Sequence, residues 1–227
     1  MRFRHSFIAI FVAAGSMFML SGWAPTLAYA QSQKHPSPKK TREVPFATVK
    51  ARHAPGDTVA VVNGVVIRYA DFMSIMSGYL KLFVARSKND IVSDSLYTVI
   101  VDSAWDRAVT DIIIEGAIAK RKLEMSDAMV KDSLVAHPPD FLRRQFTDSL
   151  GAFHPEYMRA GLNDPRNDSI VHLILEGERE RLETERLAKS VAPNKTGAER
   201  DRAFADWLTH AKRTADIDDR RTRFGFY

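Results

Sequence analysis

Two short β-branched runs, Val59-Ala60-Val61-Val62 and Val65-Val66-Ile67, flank the dipeptide Asn63-Gly64. Asn-Gly readily fills the two positive-φ positions of a type I′ turn, so the pattern predicts a tight β-hairpin. Both runs are apolar on alternate residues of both faces, so both faces need cover. A hairpin left alone would be marginal in water.

Helical spacing dominates after the hairpin. Phe72, Ile75, Met76, Tyr79, Leu80 and Phe83 recur at three- and four-residue intervals and form one stripe. The pattern breaks over residues 87–93, and a long helix is expected from about Asp94 to Leu123. Its wide apolar face includes Ala104, Trp105, Ala108, Val109, Ile112 and Ile113. Ser126-Asp127 opens a short helix with Met129, Val130 and Leu134 turned inward, and it must stop before Pro138-Pro139. Residues 140–146 read as a turn or two of helix, and 154–162 as another short helix.

Asp164-Pro165 pairs a capping residue with the one imino acid tolerated at the first helical position. The helix it opens should reach about Ser190, with Ile170, Ile174, Leu175, Leu182 and Leu187 on its inner side. Thr196-Gly197-Ala198-Glu199 fits a capping box, followed by a last stripe of Phe204, Trp207, Leu208 and Ala211. Residues 215–218 alternate like a short strand. The closing Phe224-Gly225-Phe226-Tyr227 reads either as a packing plug or as a frayed aromatic tail. The fold class is mostly α, with a small β-hairpin.

The first 57 residues follow other rules. Arg2, Arg4 and His5 precede an apolar run from Phe7 to Leu20, and Ala28-Tyr29-Ala30 follows. That order is the signature of a signal peptide cut after Ala30, which gives an exported, periplasmic protein. The 14-residue run falls short of the roughly 20 needed to span a bilayer. Residues 31–57 hold Pro36, Pro38, Pro45 and Pro55 without apolar periodicity and read as a disordered basic linker. The domain proper is expected over residues 58–227.

Charge follows the same division. The net charge of +5 includes Arg2 and Arg4 of the leader. The linker carries Lys34, Lys39, Lys40, Arg42, Lys50 and Arg52 against Glu43 and Asp57, which leaves −1 from Val59 onward. The folded part therefore lacks the basic surface that phosphate binding requires, and no nucleic-acid partner is expected. The linker can make a weak contact with an anionic membrane surface, although a solvated tether is the simpler reading. With no cysteine there is neither a disulfide nor a thiolate.

No catalytic, cofactor-binding or metal-binding constellation emerges. Glu176, Glu178, Glu180, Glu183 and Glu185 interleave with Arg179, Arg181 and Arg186. Arg179–Glu183 and Arg181–Glu185 are four apart, so the run reads as a solvated, ion-paired helix face. The seven His show no metal-ligand spacing, and His172 reads as a satisfied, partly buried imidazole. Glycine-rich phosphate loops and nucleophile elbows are not seen.

Three blocks carry a family resemblance. They are Val61-Val62-Asn63-Gly64-Val65-Val66-Ile67 with Asp71-Phe72; Pro138-Pro139-Asp140-Phe141-Leu142 with the stretch from Phe146 to Phe153 and Tyr157; and Phe204-Ala205-Asp206-Trp207-Leu208 with Lys212. In this order the chain resembles the N-terminal chaperone domain of SurA, PpiD and related exported prolyl isomerases. The resemblance implies that the last helix packs among the early ones and that a final strand pairs beside the hairpin. Two departures stand out. Arg68 occupies the place where the family has a Ser or Thr cap, and only residues 191–195 lie where a parvulin domain is commonly inserted. Isomerase activity is therefore not carried over.

The resemblance implies an ATP-independent holdase for unfolded or outer-membrane-destined polypeptides, working without a cofactor. Such clients aggregate through apolar segments and unpaired strand edges, and flexible Met and aromatic side chains suit a surface that must accept many of them. The candidates are Met76, Tyr79, Phe83, Phe141, Phe146, Phe153, Tyr157 and Met158. The ordinary alternative for each is core, above all for those on the first stripe. The block from Phe146 to Tyr157 is the stronger candidate, because loops between short helices expose side chains. A prolyl isomerase or its accessory subunit, and a dedicated envelope interaction subunit, are the competing functions.

Overall fold

The computed structural model describes residues 53–87 and 93–226. The expected signal peptide and all of the linker up to Arg52 lie outside the described residues. The described part opens at His53, a few residues before the Thr58 boundary expected from the linker's composition.

Strands β1 (Thr58–Val62) and β2 (Val65–Arg68) form the predicted hairpin. Asn63 and Gly64 take φ values of 48° and 79°, the pair that a type I′ turn demands. Strand β3 (Ile217–Asp219) adds on the other side of β1, so the three antiparallel strands run β2-β1-β3. Asn63 fastens this junction twice. Its N–H donates to the Asp216 carbonyl at 2.8 Å, and its Oδ1 accepts from the Asp216 N–H at 3.0 Å.

Helix α1 (Tyr69–Ser87) follows β2 directly. Arg68 supplies no capping hydroxyl, yet two N–H groups of the first turn of α1 find backbone acceptors. The Tyr69 and Ala70 N–H groups donate to the Asp57 and Pro55 carbonyls at 2.8 and 3.1 Å, and Arg68 Nη1 donates to the Gly56 carbonyl at 3.1 Å. The turn upstream of β1 thus stands in for a side-chain cap.

Helix α2 (Asp94–Arg121) is capped by Ser93, whose hydroxyl accepts from Leu96 N–H. Helices α3 (Asp127–Ala136), α4 (Asp140–Gln145) and α5 (Pro155–Leu162) are short. Ser126 caps α3 as expected. Asp164 caps a single 3-10 turn, Pro165–Asn167, which leads into α6 (Asp168–Val191). Helix α7 (Gly197–Thr214) completes the set. Its expected capping box does not form. Thr196 makes no side-chain cap bond, and Gly197 sits at φ 50°, so the first turn is entered from a left-handed residue.

Two apolar cores result. In the first, Val59, Ala60, Val62 and Ile67 of the sheet pack with Phe72 and Met76 of α1, Ile100, Val101 and Ala104 of α2, Leu208 of α7, and Phe226. The successive residues Val59 and Ala60 are both fully buried, so both faces of β1 are covered. Phe226 is a plug, which decides between the two readings of the aromatic ending. The second core joins Val130 and Leu134 of α3, Leu142 of α4, Met158 and Leu162 of α5, and Val171 and Leu175 of α6. Full burial of a Val, Leu, Ile, Phe or Met side chain in these cores contributes about 1.5–3 kcal/mol of apolar transfer.

The charged face of α6 departs from its expected solvated role. Glu178, Arg179 and Glu183 are buried, because this face turns toward α2 and α3. Glu183 Oε1 accepts the Met125 N–H at 2.7 Å, and Arg179 pairs with Asp127 instead of Glu183. Arg181 does reach Glu185, at 3.4 Å, but its tighter partner is Glu178 at 2.5 Å. Arg107 of α2 bridges Asp111 at 2.8 Å and Glu180 of α6 at 2.5 Å. His172 is also displaced from its expected setting: its side chain is 70 % exposed and faces Glu176 at 3.2 Å.

Candidate polypeptide-binding surface

The described residues expose eight large apolar side chains, and six of them belong to the elements around the second core. These six are Met129, Phe141, Leu150, Tyr157, Ile170 and Leu173. Single exposed apolar residues are ordinary on any surface. Their concentration on one lobe marks that lobe as the one with apolar surface to offer.

The eight side chains singled out from the sequence divide by lobe and depth. Met76 is 1 % exposed and Met158 is fully buried. Each points into a core, because the helical stripe that carries it is the stripe that drives packing. Neither is available to a client in this structure. Tyr79 and Phe83 are half-buried against the first core. Burial pushes the Tyr79 hydroxyl above its usual pKa, which the Arg107 guanidinium partly opposes. Phe146 and Phe153 pack around the second core, and the Arg143 guanidinium covers the Phe153 ring at 5.9 Å. Phe141 and Tyr157 stand out at 47 % and 62 % exposure.

The segment between α4 and α5 is held in one shape. Thr147 and Phe153 form an isolated antiparallel bridge, and the His154 N–H donates to the Phe146 carbonyl at 2.8 Å. Inside it, Asp148 Oδ1 accepts the N–H groups of Leu150 and Ala152, both at 2.9 Å, an Asx-type turn. Gly151 follows at φ 85°, a conformation a side chain rarely takes. Leu150 is left at the tip, 91 % exposed. Phe146 closes on α5 at Gly161, where an added Cβ would lie 3.3 Å from its ring.

His154 ties this loop to α5. Its Nε2 lies 3.0 Å from Asp148 Oδ2 and its Nδ1 lies 3.0 Å from Glu156 Oε1. The hydrogen bond to Asp148, then that to Glu156, raise the imidazole pKa, and the same contact holds Asp148 below the usual carboxylate range. The His154 ring stacks on Tyr157 at 4.9 Å.

Sequence reasoning missed Leu150, Met129, Ile170 and Leu173, and turned Met129 and Ile170 inward. Leu150 had a signal in its position between Asp148 and Gly151, where an apolar residue tips a turn. Ile170 and Leu173 sit on an apolar run that wraps α6, and only the side bearing Val171 and Leu175 meets the core. A shallow cleft of about 190 Å³ lies nearby between α3 and α5, with Val135 and Leu162 below and Lys131, Asp132 and Arg159 at its rim. Among the described residues, no three His, Asp or Glu side chains converge on a metal position.

Comparison with known families places more than half of the chain in one. The SurA-like N-terminal domain matches residues 44–161, a span that takes in the hairpin, helices α1 to α4, all but the last residue of α5, and the whole loop that presents Leu150. No curated protein and no solved structure matches the chain. The matched span is more than half of the sequence, and the chain belongs to the SurA-like N-terminal domain family.

Proposed function

We propose that the chain is an exported, ATP-independent holdase that keeps unfolded or outer-membrane-destined polypeptides from aggregating. SurA-like N-terminal domains are chaperone-type, non-catalytic and typically periplasmic, and they bind client polypeptides. The observation that carries the reading is the concentration of exposed apolar side chains on the second lobe, headed by Leu150 on its pinned loop. Phe141, Leu150 and Tyr157 form the working surface in this reading, and Phe146 and Phe153 pack against the second core. A client's apolar segment gains by covering them, and a population held this way is withdrawn from aggregation by mass action. The signal peptide expected over residues 1–30 and the basic linker expected over 31–57 fit this role. Among the described residues no helix is long and apolar enough to cross a membrane.

The test is light scattering of a urea-denatured β-barrel precursor diluted with and without the protein. Suppression at a few-fold excess, lost in a Leu150→Ser/Tyr157→Ser double variant that unfolds normally, supports the reading. No suppression at tenfold excess ends it. A proline-limited refolding assay run alongside discriminates an isomerase, which would accelerate the slow phase. Capture of one stoichiometric envelope protein would instead favour a dedicated interaction subunit.

A further inference from the structure

Both ring nitrogens of His154 face a carboxylate oxygen at 3.0 Å. A neutral imidazole has one N–H and one lone pair, so it can satisfy only one of these contacts and sets a lone pair against the other carboxylate. Only the imidazolium donates to both. The two carboxylates come from different elements, Asp148 from the loop and Glu156 from α5, and the ring between them stacks on Tyr157.

We propose that His154 is a positioning residue for the apolar surface: as an imidazolium it clamps the 146–154 loop to α5, and its deprotonation loosens the presentation of Leu150 and Tyr157. The inference rests on the surface assigned above and adds its regulation. Asp148 is the fixed jaw, because its other oxygen already accepts two backbone N–H groups. Glu156, with its side chain 60 % exposed, is the jaw that lets go. The neutral tautomer keeps its N–H on Asp148 and gives up Glu156. Among the described residues, the guanidinium of Arg143 in α4 also approaches this loop, but it lies over Phe153 and not over the imidazole.

The sign follows from the proton. The ring contacts raise the imidazole's affinity for its proton in the folded loop. The clamp is therefore complete below the ordinary His value near 6.5 and is lost as the pH rises through the higher folded value. Loosening also makes the surface one charge more negative.

Three variants and three readouts test this on the full chain. Hydrogen exchange at the Leu150 and Ala152 amides, corrected for intrinsic rates, should speed up by as much as about fivefold from pH 5.5 to pH 9, the range expected for an exposed charge pair. His154→Gln should show the faster corrected rate at both values. His154→Arg, which never loses its charge, should stay slow at both. Glu156→Gln should lower the pH at which the His154 ring signals titrate. Equal corrected rates at both pH values, or a ring that titrates at or below 6.5, overturns the proposal. Anisotropy of a labelled apolar peptide, read in the same buffers, separates the two inferences. Loop rates that change without peptide binding at any pH support the clamp and sink the binding surface. Peptide binding with pH-independent loop rates sinks the clamp alone.

Discussion

Phe226 meets Phe72 edge to face, with ring centroids 5.0 Å apart and planes at 67°, and both side chains are fully buried. Edge-to-face pairs add to the area they bury. Phe226 also stacks toward Tyr69 and Phe224, so the segment after β3 completes the first core. Phe226→Ala should destabilise the fold by about 3–5 kcal/mol. Urea unfolding followed by tryptophan fluorescence measures this directly.

Asp111 titrates at about 6, because desolvation outweighs the attraction of Arg107. A carboxyl whose pKa is raised by folding binds its proton more tightly in the native state. Its contribution to stability is greatest below about pH 4 and declines as the pH rises through about 6. Asp111→Asn keeps an acceptor for Arg107 and has no proton to lose. Relative to the parent, the variant should gain stability progressively from pH 4 to pH 7 in unfolding curves at constant ionic strength.

Glu183 accepts the Met125 N–H at 2.7 Å in the seam between α6 and the start of α3. Glu183→Gln retains a carbonyl oxygen there and should cost little. Glu183→Ala strands a buried N–H and should cost about 1–3 kcal/mol. Thermal unfolding of the two variants side by side separates hydrogen bonding from charge.

Gly64 has open space around the position of a Cβ but sits at φ 79°. Gly64→Ala therefore carries conformational strain without a clash, and should lower stability by about 1 kcal/mol. A larger loss, measured by chemical denaturation, would mean that the turn is packed against something.

What was legible in the sequence was local or periodic. Asn63-Gly64 dictated its turn, Ser93 and Ser126 their caps, and the stripe from Phe72 to Phe83 its inward face. What stayed illegible depends on which neighbour a face meets. Arg179 and Glu183 carry the pattern of a solvated helix, yet α6 lies against α2 and α3 on that side, and the two residues find partners in Asp127 and Met125. Ile170 and Met129 carry core chemistry but stand exposed, on faces that no described element covers. Thr196 and Glu199 spell a capping box, but Gly197 turns the chain the other way. Within the block from Phe146 to Tyr157, the exposure of Tyr157 was readable from its place beside a loop, whereas Phe146 and Phe153 pack against the second core. The His154 clamp was not, since it depends on a loop folding back on the helix that follows it.

The central strand draws its two neighbours from opposite reaches of the polypeptide. Val62 pairs with Val65 across the turn, and with Ile217 only after every helix has been laid down. A chain delivered amino end first acquires half of its sheet at once and waits for the rest, since distant pairings form slowly. During that delay β1 presents an unpaired edge of the kind that recruits stray strands. This protein is thus, for a moment in its own assembly, a chain in need of the shelter it is proposed to give.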